Sequence, residues 1–240
     1  QSGIGPATAR TYWTGAISSW GVDLVKRGYT IATLTSTYGI TYQNAGNPYD
    51  LSNYDVFIVP EPNILFTSTE ATAIFNYVRD GGGLIMVVDH GQSDRNNDGY
   101  DSPMIWNAMD PGRLFGVRCQ VYVNNVHEPN DNITQTSANV SASAPDSITR
   151  GPEGNVTGFA FHNGTTFTIY PAVNPTVRGE VWMNGLAQTS TTGLMAASSV
   201  STPMGRPSPE SLHGSVRASA TGSSCARRTS ANSPRSRPTP

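Results

Sequence analysis

Tyr54-Asp-Val-Phe-Ile-Val-Pro60 and Gly81-Gly-Gly-Leu-Ile-Met-Val-Val-Asp-His90 are the two stretches of sequence that decide the fold. Each contains a nearly continuous run of apolar residues, which is typical of a strand that is buried on both faces of a parallel sheet. Between them, Thr67-Ser-Thr-Glu70 matches the capping box that begins a helix, and the glycines Gly81–Gly83 end that helix. A strand, a helix and a second strand joined by short connections predict an α/β fold.

The residues before this unit add a helix and a strand. Four apolar side chains occur at the spacing i, i+4, i+7 and i+11, which places them on one face of a helix. They are Trp13, Ile17, Trp20 and Leu24. We predict this helix over Tyr12–Arg27 and a strand over Tyr29–Leu34. Because a strand normally precedes the first helix of a doubly wound sheet, we expect the first strand of this sheet to lie upstream of Gln1.

The second half of the chain changes to a β-rich pattern. Ser102-Pro103 begins a short predicted helix, with Ser102 as its N-cap, that runs to Met109. Beyond it, Asn163-Gly164 is a strong hairpin signal within Gly158–Tyr170. Further strands are predicted over Val117–Asn124, Thr176–Met183 and Gly193–Ser198. The sequence therefore predicts a Rossmann/flavodoxin-like parallel sheet with helices on both faces and antiparallel β additions in the second half.

Residues 201–240 differ in composition from the rest of the chain. This segment has no Phe, Tyr or Trp, and Ser, Pro and Arg dominate it without periodicity. Such a segment cannot bury enough apolar surface to offset the entropy of ordering. We predict a single α/β domain over residues 1–200, followed by a tail that is either disordered or the product of a frameshift.

The composition excludes several classes of function. The 240-residue chain has a formal net charge of −2, and only 13% of its residues are charged. It has no basic field for nucleic acid, and no apolar run reaches the ~18 residues that a membrane insertion needs. Cys119 and Cys225 lack the spacing of a zinc knuckle or a redox dithiol. The polar, weakly charged composition is typical of an exported protein, so we expect a secreted, periplasmic or cell-surface location.

The best candidate site follows the two central strands. In parallel α/β sheets the ligand crevice lies beyond the carboxyl ends of the strands, which is where Glu61 and the loop Asp89–Asp101 are predicted to lie. This loop places four carboxylates and an imidazole in a short stretch. They are Asp89, His90, Asp94, Asp98 and Asp101.

The candidate catalytic residues are Asp89, His90 and Glu61. A carboxylate beside an imidazole can act as a general base. Adjacent residues on an extended chain point to opposite faces, so we expect at most one of Asp89 and His90 to enter the crevice directly. The alternative is that His90 only forms hydrogen bonds within the loop.

A second pattern within the loop is typical of calcium sites. Asp94-Arg-Asn-Asn-Asp-Gly99 has the D-x-N-x-D-G spacing, in which alternate side chains point towards the ion. The bidentate glutamate of such loops is missing, because Ile105 stands in its place. We predict calcium ligands at Asp94, Asn96 and Asp98, with Asp101 or Glu61 as substitutes for the missing carboxylate. The alternative is an ordinary surface turn, in which Asn, Asp and Gly are common.

Ser93 is an alternative nucleophile. Gly91-Gln-Ser93-Asp-Arg95 resembles the G-x-S-x-G elbow of serine hydrolases, but the bulky Arg95 replaces the closing glycine. Ser93 also lies several residues beyond the predicted end of the strand.

The two stretches quoted first, with the helix between them, resemble the class I glutamine-amidotransferase-like superfamily, and particularly its exported, ThuA-like members. In true amidotransferases a cysteine nucleophile follows the second strand and a His-x-Glu pair occurs near the C-terminus. This chain has Asp89-His90 at the nucleophile position and no His-x-Glu pair, which argues against glutamine hydrolysis. The resemblance to ThuA-like proteins implies a role linked to carbohydrate.

Three hypotheses about function follow. The first is an exported hydrolase-like domain with a calcium-ordered loop, acting on carbohydrate or ester substrates. The second is a domain that binds a carbohydrate or a partner without catalysis. The third is a serine esterase that uses Ser93.

Overall fold

The computed structural model describes residues 18–121 without a break and shorter segments beyond them. These segments are 125–126, 133–136, 140–141, 148–151, 154–156, 158–161, 164–182, 187, 192–193, 195–198, 200, 216–217 and 224–228. The helices are α1 Ser18–Lys26, α2 Ser68–Arg79 and α3 Ser102–Met109, with a short 3-10 helix at Leu51–Asn53. The strands are β1 Tyr29–Ala32, β2 Val56–Pro60, β3 Gly83–Val87, β4 Val117–Cys119, β5 Asn125–Val126, β6 Ile133–Thr136, β7 Arg150–Gly151, β8 Gly154–Asn155, β9 Gly158–Phe161, β10 Gly164–Thr165, β11 Phe167–Ile169, β12 Arg178–Val181, β13 Thr192–Gly193, β14 Met195–Ala197, β15 Val216–Arg217 and β16 Ser224–Arg228.

Helix α2 forms as its sequence predicts. The Thr67 hydroxyl accepts a hydrogen bond from the Glu70 N–H, and the Glu70 carboxylate accepts one from the Thr67 N–H, which completes the capping box. At the other end, Gly81 takes a φ of 107°, which a residue with a side chain rarely adopts. Helix α1 begins at Ser18 in the described residues, so the first part of the helix predicted over Tyr12–Arg27 lies outside them. None of the described helices has the length and hydropathy to cross a bilayer.

The largest sheet contains both parallel and antiparallel pairs, in the order β1-β16-β2-β3-β15. Strands β2 and β3 are parallel neighbours in register from Val56 opposite Gly83 to Pro60 opposite Val87. Strand β15 is parallel to β3, whereas β16 is antiparallel to both β1 and β2. The fold is therefore α/β, but the sheet is mixed where the sequence predicted parallel strands.

Two of these strands lie in the predicted tail. Strands β15 and β16 are formed by residues 216–217 and 224–228. The other residues of 201–240 lie outside the described part of the chain, so the prediction of a disordered or frameshifted tail stays a prediction.

The core packs α2 and α3 against the sheet. Ile74 on α2, Leu84 and Met86 on β3 are fully buried. Trp106 on α3 lies with its ring centre 5.9 Å from that of Phe115. These contacts fix α3 against the core close to the point where β3 ends.

A paired set of hydrogen bonds joins α3 to β4. The Asn107 amide donates to the Cys119 carbonyl and accepts from the Cys119 N–H, each at 2.9 Å. Cys119 is a buried free thiol, and burial raises the pKa of that thiol far above its ordinary value, against a smaller opposing effect of the Arg118 charge.

The described strands from β4 to β14 form antiparallel pairs, as predicted for the second half of the chain. Strand β11 lies between β4 and β13, and the other pairs are β5–β10, β6–β9, β7–β8 and β12–β14. The turn predicted at Asn163-Gly164 includes Asn163, which lies outside the described residues, and the described strands do not form the predicted hairpin. The strands on either side of that dipeptide pair with other segments, because β9 contacts β6 while β10 and β11 contact β5, β4 and β13.

Candidate functional site

The site is built at the ends of two neighbouring parallel strands. Strand β2 ends at Pro60 and β3 at Val87, so the residues that follow them leave the sheet at the same edge. The Glu61 N–H donates to the Val87 carbonyl at 2.9 Å, and Glu61 turns the chain with a φ of 47°. This turn places the Glu61 side chain beside the start of the loop Asp89–Asp101.

Asp89 is fixed by contacts on both of its sides. Its backbone N–H donates to the Ser102 hydroxyl at 2.7 Å, which joins the end of β3 to the start of α3. Its carboxylate Oδ1 accepts a hydrogen bond from the His90 N–H at 2.7 Å. Only 13% of the Asp89 side chain is exposed, so the carboxylate is largely buried at the edge of the sheet.

Arg95 joins the two strand ends. Its Nε donates to Glu61 Oε1, and its Nη2 donates to Asp89 Oδ2 at 3.0 Å. The Arg95 side chain is 59% exposed, whereas that of Glu61 is only 15% exposed. The hydrogen bond and charge of Glu61, with a smaller contribution from Asp89, raise the pKa of the Arg95 guanidinium above its ordinary value.

Sequence reasoning treated Arg95 only as an obstacle to a serine-hydrolase elbow. The signal that could have identified its role is that Arg95 is the one basic residue other than histidine within the acidic stretch Asp89–Asp101. A single guanidinium among several carboxylates can form charge-assisted hydrogen bonds to two of them at once.

His90 lies beside Asp89 with a defined ring orientation. Its Nδ1 is 2.6 Å from the Gly91 carbonyl oxygen, which can only accept, so Nδ1 carries the proton in this contact. Its Nε2 is 3.6 Å from Asp89 Oδ1. Strand β3 ends at Val87, so strand alternation does not apply to these two residues, and the expectation that at most one of their side chains enters the crevice directly stays a prediction.

Ser93 has different partners from those of a catalytic serine. Its hydroxyl donates to the His90 carbonyl oxygen at 2.8 Å. Its N–H donates to the carboxylate of Asp101 at 2.8 Å. In the described contacts, the hydroxyl therefore faces the backbone of the loop and not the imidazole.

The predicted calcium ligands lie together in the outer part of the loop. The Asp94 carboxylate accepts hydrogen bonds from the N–H groups of Asp98 and Gly99, at 3.2 and 2.8 Å. The Asn96 amide donates to Asp98 Oδ2 at 2.9 Å and to the Asn63 carbonyl at 2.7 Å. The loop thus brings Asp94, Asn96 and Asp98 together and ties them to the turn after β2.

Asp101 has different hydrogen-bond partners from those of Asp94, Asn96 and Asp98. It is buried, and its two carboxylate oxygens accept hydrogen bonds from the N–H groups of Gln92 and Ser93, at 2.9 and 2.8 Å. It also stands at the N-cap position of α3, which the sequence analysis assigned to Ser102, but its side chain caps no helix N–H. Asp101 closes the turn 91–93, and its part in the predicted ligand set stays a prediction.

Within the described part of the chain, no three His, Cys, Asp or Glu side chains are gathered so that they could hold a metal ion. The three central ligands of the predicted calcium set, Asp94, Asn96 and Asp98, are two carboxylates and one amide, with Asp101 or Glu61 as the predicted further carboxylate. The calcium site therefore stays a prediction.

Comparisons with known proteins find similarity to solved structures and not to sequences. No protein-family description matches the sequence, and no curated protein is significantly similar to it. The chain is similar to a solved structure described as "mmIFT52 N-terminal domain", with 14% sequence identity and a TM-score of 0.43. The likeness covers 68% of this chain and 64% of that one. At this level of similarity the match assigns neither a fold family nor a function to the chain.

Proposed function

We propose that this chain is a hydrolase-like domain in which Asp89 and His90 activate water. The observation that supports this most directly is the distance of 3.6 Å between Asp89 Oδ1 and His90 Nε2, at the edge of a sheet where parallel strands end. A carboxylate beside the proton-accepting nitrogen of an imidazole stabilises the imidazolium that forms when this nitrogen acts as a general base. Glu61 is the third member of this proposed site, held to Asp89 through Arg95.

The chemistry assigns His90 Nε2 as the proton acceptor. Because Nδ1 donates to the Gly91 carbonyl, the neutral ring has its lone pair on Nε2. A water beside Nε2 would transfer a proton to it while the water oxygen attacks the electrophilic carbon of the substrate. The bond to the leaving group then breaks, and the imidazolium returns the proton to that group. Asp89 stabilises the imidazolium through its charge.

The same proposal includes the finer fold and the origin of the domain. The parallel β2–β3 pair with α2 between its strands supports a Rossmann/flavodoxin-like arrangement related to the amidotransferase-like superfamily. The resemblance to its ThuA-like members supports carbohydrate or ester substrates outside the cell.

A panel of para-nitrophenyl esters and glycosides tests the proposal. We expect turnover by the wild-type protein, and a loss of about 100-fold or more in kcat/KM for His90→Ala. Asp89→Asn should lose nearly as much, because it keeps the shape but removes the charge that stabilises the imidazolium. The control is Asp80→Asn, an aspartate in an ion pair with Arg79 on the far end of α2.

Two outcomes contradict the proposal. One is a wild-type protein that hydrolyses none of these substrates. The other is a detected activity that both His90→Ala and Asp89→Asn leave at the wild-type level.

We also propose that calcium orders the outer part of the loop through Asp94, Asn96 and Asp98. Each carboxylate has lone pairs beyond those used by the loop N–H groups, so the residues fit a hard cation that prefers oxygen ligands. When bound, the ion supplies positive charge that holds three acceptor side chains together. It has no step in the proposed reaction.

Thermal unfolding with and without EGTA tests the calcium site. At about 100 times its Kd a bound ion stabilises a protein by roughly 2.7 kcal/mol, which is a shift of about 5–10 °C for a domain of this size. Asp94→Asn combined with Asp98→Asn should abolish the shift, whereas Asp80→Asn should keep it. An unchanged Tm on adding EGTA to calcium-loaded wild-type protein contradicts this part.

The second candidate function is binding without catalysis. The observation that favours it is that Arg95 binds both Glu61 and Asp89. Both carboxylates are therefore paired with a positive charge, which suits a binding site better than a site that needs a free catalytic carboxylate. Binding on a glycan array without turnover of the same sugars would favour this candidate over the hydrolase.

A further inference from the structure

We propose that Arg95 is a positioning residue for the Asp89–His90 pair, an inference that rests on the proposed function. The guanidinium holds one oxygen of the Asp89 carboxylate and so keeps the other beside the imidazole. No substrate contact of Arg95 is needed for this role.

The contacts of Asp89 divide its two oxygens between different partners. Oδ2 receives the Arg95 Nη2–H at 3.0 Å. Oδ1 receives the His90 N–H at 2.7 Å and lies 3.6 Å from His90 Nε2. A rotation of the carboxylate that turned Oδ1 away from the imidazole would break the hydrogen bond between Oδ2 and Arg95, so that bond opposes the rotation. The charge of Oδ1 therefore stays directed at the imidazole.

Glu61 anchors Arg95 from the other strand end. A guanidinium has several N–H donors in a fixed plane, so one Arg95 side chain can bind two carboxylates at a set separation. The Glu61 side chain is itself placed by the turn after β2, where its N–H donates to the Val87 carbonyl. A lysine in place of Arg95 has a single ammonium and would reach both carboxylates less well.

Because Arg95 is exposed, its effect on the position of Asp89 can be tested apart from any effect on folding stability. More than half of its side chain is exposed, and exposed ion pairs contribute little to folding because water and salt screen them. Loss of Arg95 should therefore leave the unfolding transition nearly unchanged while it changes the position of Asp89.

Arg95→Ala tests the inference in the full-length chain. With the ester or glycoside that the wild-type protein turns over, we expect kcat to fall about 10- to 100-fold with KM nearly unchanged. Arg95→Lys should recover part of the loss. Methylguanidine at millimolar concentrations should restore activity to Arg95→Ala, which a purely structural defect would not allow. The matched control is Arg27→Ala, because Arg27 is also an exposed arginine in an ion pair but lies on α1.

A second measurement does not depend on turnover. The ring signals of His90 in a ¹H–¹³C NMR spectrum should shift in Arg95→Ala, return towards the wild-type position with methylguanidine, and stay unchanged in Arg27→Ala. Ring signals that are the same in Arg95→Ala and the wild type overturn the inference.

The two measurements separate the inference from the proposed function. If the wild-type protein is active, His90→Ala is inactive and Arg95→Ala is fully active, Arg95 has no positioning role while the proposed hydrolase stands. If the wild-type protein is inactive but the His90 signals respond as expected, the hydrolase fails and Arg95 still fixes the geometry of the pair.

Discussion

The loop between Thr41 and Asn53 and the loop between Asp89 and Asp101 are each organised by one buried aspartate, but they use their other polar side chains differently. In the first loop the Asp50 carboxylate accepts five hydrogen bonds, all from within the loop. In the second loop Asp101 performs the equivalent task with two backbone N–H groups.

The two loops differ in the polar side chains that are not needed to close the turn. Asp50 is 1% exposed and has only local donors. In the second loop, Asp89 contacts both His90 and Arg95, and Arg95 also contacts Glu61 at the end of the neighbouring strand. Since Asp101 already closes the turn, these side chains are not needed for that purpose. This surplus favours a functional role for the second loop and a structural role for the first.

The largest expected effect is on stability, at Asp50. Asp50→Ala removes the buried carboxylate that accepts five partly buried hydrogen bonds, so we expect a loss of about 3 kcal/mol in the free energy of unfolding. Urea unfolding measures this loss. The control Asp80→Ala removes a partly exposed ion pair and should cost less than about 1 kcal/mol. Equal effects at the two positions would show that the first loop is not organised by Asp50.

Acid should remove the contribution of Asp50 without a mutation. Burial alone would raise the pKa of Asp50, but hydrogen bonds from Ser52, Thr41 and the Asn44 N–H outweigh it and lower the pKa to about 2. Because the folded pKa is below the unfolded value, this stabilisation is present above about pH 4 and is lost as the pH falls towards 2. The stability difference between the wild type and Asp50→Asn should shrink over that range. A difference that does not change with pH would contradict the assignment.

A smaller effect is expected at Asp101. Asp101→Ala removes two charge-assisted hydrogen bonds to the turn 91–93, with an expected loss of about 1–2 kcal/mol. The loss should be accompanied by a change in the His90 ring signals, since His90 begins that turn. Asp101→Asn retains one acceptor and should have about half the effect. A stable Asp101→Ala protein with unchanged His90 signals would show that Asp101 does not organise the second loop as Asp50 organises the first.

The smallest effect is expected at Gly99, in the outer part of the second loop. Gly99 has a φ of 89°, and a Cβ added there would meet no atom within 4 Å, so Gly99→Ala changes only backbone strain. We expect a loss of about 1 kcal/mol and a weaker response to calcium. The matched control is Gly21→Ala within α1, where the added methyl has ordinary contacts and should stabilise the protein by roughly 0.5–1 kcal/mol.

Local sequence signals predicted the parts of the fold that short segments determine. The apolar runs of β2 and β3 and the capping box of α2 each depend on neighbouring residues, and all three elements form as predicted. The meeting of Glu61 and Asp89 also followed from the sequence, because parallel neighbouring strands place their carboxyl ends at one edge.

Contacts between distant segments could not be predicted in the same way. The β16 sequence Ser-Cys-Ala-Arg-Arg has no β-branched or aromatic residue, so its position between β1 and β2 has no local signal. Asn163-Gly164 is a strong local hairpin signal, but its flanking strands pair elsewhere. The bridge from Arg95 to Glu61 joins residues far apart in the chain, and no spacing rule indicates it.

The reactivity of the buried Cys119 thiol can report on local opening of this structure. Alkylating reagents react with the thiolate, which burial suppresses while β4 remains attached to α3 through Asn107. The rate at which Cys119 is modified therefore measures how often that attachment breaks, and peptide mapping separates it from Cys225. Ser102 at the start of α3 is hydrogen-bonded to the Asp89 backbone. A ligand that stabilises the loop Asp89–Asp101 should therefore slow the modification of Cys119.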